Sequence, residues 1–323
     1  MPTQTYAYAV RDAIAEEMRR DESVFIFGEE VAEWGGTFRA TEGLLKEFGP
    51  RRVLDTPIAE EVIMGLGVGA AMAGLRPVVE FMTINFILLA MDQIVNHAAK
   101  VRYMSGGLFQ APLTIRAPGG GGLQMGAQHS QSLEAWFAHV PGLKVVAPST
   151  PADAKGLLKS AIRDDDPVMV IEHERLYPLK GEVPEGEVLT PIGTAAVRRE
   201  GKDVTLIAHH AMVRVCLDAA GILEKEGISA EVIDNRSLRP LDMGTLVASM
   251  EKTGRAAVVE EGWPQCGIGA EVSARLMTEA FDYLDAPVLR VAQTDVPAPY
   301  SWPLEKLTIP NAEKVAEAVR AMG

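Results

Sequence analysis

Short apolar runs alternate with helical stretches along almost the whole chain, and no other feature of the sequence limits the fold as tightly. In the first half the runs fall at residues 24–27, 77–81, 113–116, 144–147 and 168–172, with helical spacing at 3–20, 60–73, 87–104 and 151–163. After residue 200 the pattern resumes, with runs at 204–208, 230–235, 256–260 and 288–291 and helices at 213–227, 243–252, 269–281 and 312–322. Strands joined through helices lie parallel, because a crossover returns the chain to the same end of the sheet. Between the two series, LYPLKGEVPEGEVLT loses both periods and reads as a linker. The expectation is α/β: two domains with mainly parallel sheets, over residues 1–180 and 190–323. A chain of 323 residues suits two cores better than one.

Composition narrows the function. The 31 basic and 44 acidic residues leave a charge of −13, a field that repels a nucleic-acid backbone and favours a basic partner. No apolar run reaches the roughly 18–20 residues of a membrane span, and the N-terminus has no basic, then apolar, signal pattern. A cytoplasmic location is expected. Cys216 and Cys266 form neither a CxxC pair nor a metal-ligand spacing.

Three segments invite chemistry. Gly65, Gly67 and Gly69 are spaced GxGxG, not GxGxxG, and two carboxylates open their helix, so a nucleotide-phosphate site is not supported. Those glycines read as close-packing positions. Glu60 follows the turn Thr56-Pro57-Ile58-Ala59 and starts an apolar helix. An acidic residue there commonly serves the helix dipole, worth about 0.3–1 kcal/mol; a carboxylate desolvated by Ile58, Val62 and Met64 would instead be suited to sharing a proton. His129, within Gln128-His129-Ser130-Gln131-Ser132, ends a Gly-rich loop and is flanked by groups able to fix its tautomer. No GxSxG elbow accompanies it. His97, His139, His173, His209 and His210 read as structural.

Taken in order, these segments carry a resemblance. Asp55-Thr56-Pro57-Ile58-Ala59-Glu60, Ala70-Ala71-Met72-Ala73-Gly74-Leu75-Arg76-Pro77, Glu80-Phe81-Met82-Thr83, Asp92-Gln93-Ile94-Val95-Asn96, Met104-Ser105-Gly106-Gly107, the His129 segment and Pro141-Gly142-Leu143-Lys144-Val145-Val146 recur in one enzyme group. End to end, the chain resembles the beta subunit of the thiamine-diphosphate-dependent decarboxylating component of 2-oxo acid dehydrogenase complexes. Glu80-Phe81-Met82-Thr83 and Met104-Ser105-Gly106-Gly107 look more like the pyruvate enzyme. The branched-chain 2-oxo acid and acetoin enzymes stand as alternatives, and a noncatalytic scaffold of the same fold as a third.

The resemblance implies a transketolase-like pyrimidine-binding domain followed by a transketolase C-terminal domain, acting in oxidative decarboxylation with acyl transfer to lipoyl groups. It places Glu60 at N1′ of the cofactor's aminopyrimidine, Phe86 against that ring, and His129 at the mouth of the site, aiding acyl transfer. Glu29 is matched to an acidic residue near a buried subunit interface. A structural potassium ion is implied at Leu113, Ala161, Ile162, Asp164 and Asp166, where the sequence alone reads as an acidic turn. No Gly-Asp-Gly occurs, so magnesium and the diphosphate fall to an alpha subunit in an α2β2 heterotetramer. The further partners implied are the subunit-binding and lipoyl domains of a dihydrolipoyl acyltransferase. Docking to the basic subunit-binding domain is expected from Glu305, Glu313, Glu317, Asp285 and Asp295.

Overall fold

The computed structural model describes residues 2–322. The chain forms two compact units, one running up to Gly119 and completed by Trp136–Ile192, the other made of Gly120–Ala135 and the chain from Gly193 onward.

In the first unit six parallel strands lie in the order Lys144–Val146, Val168–His173, Thr114–Gly119, Arg76–Glu80, Val24–Gly28, Val53–Asp55. Every residue of Thr114–Gly119 and Val168–His173 is buried, as expected of central strands covered on both faces. Helices Tyr6–Arg20 and Pro151–Arg163 pack against each other and are tied by Lys159 to Glu16 (2.7 Å) and by Arg163 to the wholly buried Glu17 (2.7 Å).

The helix expected over 3–20 begins at Tyr6. Thr5 caps it by accepting from the Tyr8 N–H, and Thr3–Thr5 is a strand paired antiparallel with Lys180–Glu182. That pairing draws part of the expected linker into the first unit. The helix expected over 87–104 is broken into a 3-10 turn Ile87–Ala90, a π segment Gln93–Ala98 and a last turn Val101–Met104. Helical periodicity is shared by all three, so the breaks were not legible. Of the three helix glycines, Gly67 is the packing position. A Cβ there would sit 2.6 Å from Val79, so at this position the helix lies close on strand Arg76–Glu80, while Gly65 faces Gln93 of the following helical segment.

The second unit is a five-stranded sheet, ordered Leu289–Val291, Ala256–Val259, Val204–Ala208, Ala230–Asp234 and Ala196–Arg199. The first four are parallel; the last is an antiparallel edge that the sequence reading missed. Helix Met243–Thr253 is capped by Asp242, which accepts from Thr245, and stops at left-handed Gly254. Thr205 is buried in the central strand and bonds Ser249 and Thr253 on that helix.

Segment Gly120–Ala135 belongs to the second unit for a visible reason. Gly122 N and Gln124 N donate to the two carboxylate oxygens of Glu305 (2.9 and 3.0 Å), and Gly121 N donates to Glu261. Glu305 is fully buried in helix Trp302–Thr308. It therefore cannot belong to an acidic docking face: its carboxylate is spent on holding the loop. Glu313, Glu317, Asp285 and Asp295 are exposed.

Candidate active site

Parallel sheets present ligand sites beyond the carboxyl ends of their strands, and the first unit places several acidic residues there. Strand Val24–Gly28 ends at Gly28, whose φ of +156° and proximity to the Glu80 carbonyl exclude a side chain: a Cβ would lie 2.1 Å from that oxygen. The chain then passes through Glu29 and left-handed Glu30. Asp55, ending the neighbouring strand, holds this turn by accepting from Ala32 N (2.7 Å) and Glu33 N (3.2 Å). Thr56 N closes back on Gly28 O (2.9 Å).

Glu60 is the first residue of helix Glu60–Met72, after Ala59, which offers no side-chain cap. Its neighbour Glu61 is exposed and can serve the helix dipole. Glu60 is instead 5% exposed, a burial that dipole compensation does not require. Met64 is buried beneath it, whereas Ile58 and Val62 are 76% and 61% exposed and do not desolvate it within this chain.

Glu29 lies close enough to Glu60 to feel its charge. Burial first, then the Glu60 and Glu30 charges, push the Glu29 carboxyl above its ordinary value. Its Oε1 is buried with no hydrogen-bond partner among the described residues, as is Thr56 Oγ1. A buried acceptor without a donor is costly unless something else supplies one. Phe86 is half-buried, in the turn before Ile87–Ala90, and its N–H donates to Thr83 O (3.2 Å).

Two strands along the same sheet, Arg116 is wholly buried between two carboxylates. It forks onto Glu172 (Nε–Oε1 and Nη2–Oε2, both 2.7 Å) and reaches Glu80 through Nη1. The Tyr177 hydroxyl donates to Glu172. Burial alone would lower the Arg116 pKa, but Glu172 and Glu80 outweigh it and hold the guanidinium charged. The sequence reading did not find this network, because a lone Arg inside an apolar strand carries no motif.

His129 is half-buried in the second unit, with its N–H on Gly126 O (3.2 Å). Neighbouring Ser130 has a buried hydroxyl without a partner among the described residues. Thus the structure brings together Glu29 and Glu60 in the first unit, and sets His129 on the carboxylate-held loop of the second.

Of the five residues expected at a cation, Ala161, Ile162, Asp164 and Asp166 lie at the end of helix Pro151–Arg163, and Leu113 precedes strand Thr114–Gly119. The carbonyls of Leu113 and Ala161 accept from Val168 and Asp164 N–H groups, and those of Ile162 and Asp164 accept from Arg76 Nη1 (3.1 and 2.9 Å). Lys144 Nζ lies 2.7 Å from both Asp164 carboxylate oxygens, and Arg102 pairs with Asp166 (2.6 Å). The acidic turn is ion-paired throughout rather than merely solvated. A third cluster, Glu134 with His209 and His210, is buried in the second unit. From sequence the two histidines read as structural, since adjacent histidines at a strand end show no spacing signature.

The fold and these sites define a two-domain protein of the transketolase class. The transketolase pyrimidine-binding domain family matches residues 3–180 and the transketolase C-terminal domain family residues 193–315. Among solved structures, a split-gene transketolase described as an inactive beta4 tetramer superposes with a TM-score of 0.82 at 27% identity, covering 98% of this chain and 97% of its own. The pyruvate dehydrogenase E1 component subunit beta of Rhizobium meliloti is 54% identical over 323 residues, all of this chain and 70% of that protein. The Rickettsia bellii subunit is 52% identical over 98% of this chain and 97% of its own, and a mitochondrial subunit from Oryza sativa is 52% identical over 98% and 85%. The chain belongs to the family of pyruvate dehydrogenase E1 component beta subunits.

Proposed function

We propose that this chain is the beta subunit of a pyruvate dehydrogenase-type enzyme, carrying out the oxidative decarboxylation of a 2-oxo acid with acyl transfer to lipoyl groups. The observation that carries the reading is the buried pair Glu60 and Glu29 at the carboxyl ends of the parallel strands, in a chain of this kinship. Thiamine diphosphate fits the residues present: Glu29 Oε1 is a buried acceptor lacking a donor among the described residues, and Glu60 is a buried carboxylate at a helix start. When bound, that cofactor supplies a thiazolium that takes up the electrons released as carbon dioxide leaves. Glu60 would hold and return a proton at N1′ of the aminopyrimidine, Phe86 would pack on that ring, and Glu29 would border it. His129 would assist the proton transfer that accompanies acyl delivery to lipoamide.

An alpha subunit would contribute magnesium and the diphosphate half, in an α2β2 heterotetramer. The exposed apolar stripe Ile58, Val62 and Leu66, beside the buried pair, supports a covering partner chain. The described helices include none long and apolar enough to cross a membrane. A cytoplasmic location would suit the kinship with the bacterial subunits. The exposed acids Glu313, Glu317, Asp285 and Asp295 would face the acyltransferase's subunit-binding domain. A structural potassium ion at Leu113, Ala161, Ile162, Asp164 and Asp166 has hard oxygen donors, though it would share the Ile162 and Asp164 carbonyls with Arg76.

Steady-state assays of the reconstituted heterotetramer with pyruvate, 3-methyl-2-oxobutanoate and acetoin test the proposal. Pyruvate is expected to give the highest kcat/KM; a preference for either competitor would displace the pyruvate reading. In the same assembly, His129→Ala is expected to lower acyl transfer to the lipoyl domain by at least ~10-fold more than decarboxylation measured with an artificial oxidant. Equal losses would remove His129 from the transfer step.

A further inference from the structure

The second unit contains a buried cluster that the reaction above does not use. In its parallel sheet Ala208 pairs with Asp234 on one side and Val259 on the other, so the next residues, His209, Asn235 and Glu260, leave three adjacent strand ends. His210 follows with a φ of +50°, a left-handed conformation uncommon for a residue with a side chain. Glu134, at the start of helix Glu134–Ala138, meets the histidines, with Oε1 at 3.1 Å from His210 Nδ1. One ligand atom from each of Glu134, His209 and His210 lies within 4.8 Å of the other two. None of the three residues is more than 4% exposed.

We propose that Glu134, His209 and His210 form a binding site for a zinc-type divalent cation, a function separate from the thiamine site. The donor set points to that class of ion. Two imidazoles and one carboxylate suit zinc and its borderline neighbours, whereas magnesium, calcium and potassium take oxygen donors. Three protein ligands leave one position of a tetrahedron for water. Bonds of the usual length place tetrahedral ligand atoms roughly 3.3 Å apart. The Glu134–His210 separation of 3.1 Å is close to that value, and since all three ligand atoms lie within 4.8 Å of one another, side-chain movement of at most about 1.5 Å completes the set.

The neighbouring residues leave these three groups to one another. Glu260, on the next strand end, is answered by Arg290 (Nη2–Oε1 3.2 Å), which leaves Glu134 to the histidines. Asn235, beside His209 in the row of strand ends, has both polar side-chain atoms buried without a hydrogen-bond partner among the described residues. An amide so placed can bond a metal-held water as donor or acceptor.

The full-length chain, stripped with a chelator, is titrated with Co²⁺ and Zn²⁺ and followed by cobalt absorption and metal analysis. One equivalent per chain is expected, with the intense visible bands of tetrahedral cobalt, displaced by Zn²⁺ and untouched by excess Mg²⁺. Glu134→Gln and His209→Gln should each weaken binding roughly 100-fold, while His97→Gln, at an exposed histidine beside Asp92, should leave stoichiometry unchanged. Wild-type chain that fails to bind one equivalent overturns the site without recourse to any variant. So does full-strength binding in a correctly folded Glu134→Gln chain, or loss of the cobalt bands in His97→Gln. None of these outcomes touches the thiamine reading, since no residue is shared.

Discussion

Two pairs of buried carboxylates, one on the sheet of the first unit and one just beyond the carboxyl ends of its strands, are treated in opposite ways. Glu80 and Glu172 enclose Arg116, and their oxygens are met by a guanidinium and the Tyr177 hydroxyl. Among the described residues Glu29 and Glu60 have no such cation between them; burial and the Glu60 charge raise the Glu29 pKa, and Glu29 Oε1 has no donor there. Burying a carboxylate is costly unless it is paired, so the first arrangement completes itself within the chain, while the second is the one we propose is completed from outside. On that proposal, identical residue types separate into scaffold and site by whether a counter-group is folded in beside them.

The contrast can be broken most forcefully at Arg116. Arg116→Leu leaves two uncompensated carboxylates in the interior and should cost about 3–5 kcal/mol, read as a fall in the urea midpoint with little change in the slope. A loss under ~1 kcal/mol would mean that water or a neutral carboxyl relieves the pair, and the scaffold assignment would fail.

Glu60→Gln tests the other side. An amide of nearly the same size keeps the packing but cannot cycle a proton, so turnover of the assembled enzyme should drop by at least ~100-fold. Deuterium exchange at C2 of the bound cofactor should slow with it. The unfolding midpoint should hold or rise, because a like charge beside Glu29 is removed. Exchange at the wild-type rate would return Glu60 to the role of a helix-terminal charge.

The smallest effect concerns Glu29. Its carboxyl is raised in the folded chain, so the folded state holds a proton more tightly than the unfolded one does. The stability this contributes is complete below the ordinary carboxylate pKa and is lost as pH rises through the raised value. Glu29→Gln lacks that loss. Relative to wild type it should gain ~1 kcal/mol or less on passing from acid to neutral pH, the effect being limited by solvent screening at the site. Parallel stability–pH curves for the two proteins would show that Glu29 is relieved by a partner inside the chain.

Much of this architecture was readable without coordinates. The alternation of short apolar runs and helices specified two parallel-sheet domains, since a strand buried on both faces must be apolar throughout and its connection must cross back as a helix. Glu60 was singled out by standing at a helix start after a Pro turn. Its neighbour Glu61 has the same signature, and only burial separates the two. The expected place of Glu305 in a docking face failed for the complementary reason. An acidic residue near a chain end reads as surface, but this one accepts two backbone N–H groups from a loop some 180 residues earlier.

What the sequence determined by itself is therefore what local rules encode: periodicity, caps, turns and the ordered motifs that carry kinship. Capping of Tyr6–Arg20 by Thr5 and of Met243–Thr253 by Asp242 is of this kind, because donor and acceptor lie within three residues. Only the tertiary structure decided which charges are answered. Arg116 meets Glu172 from 56 residues away, and Glu134 meets His210 across two stretches that share no motif. The free energy of a buried charge depends on what surrounds it in space, and those surroundings come from strand order, which no short window of sequence contains.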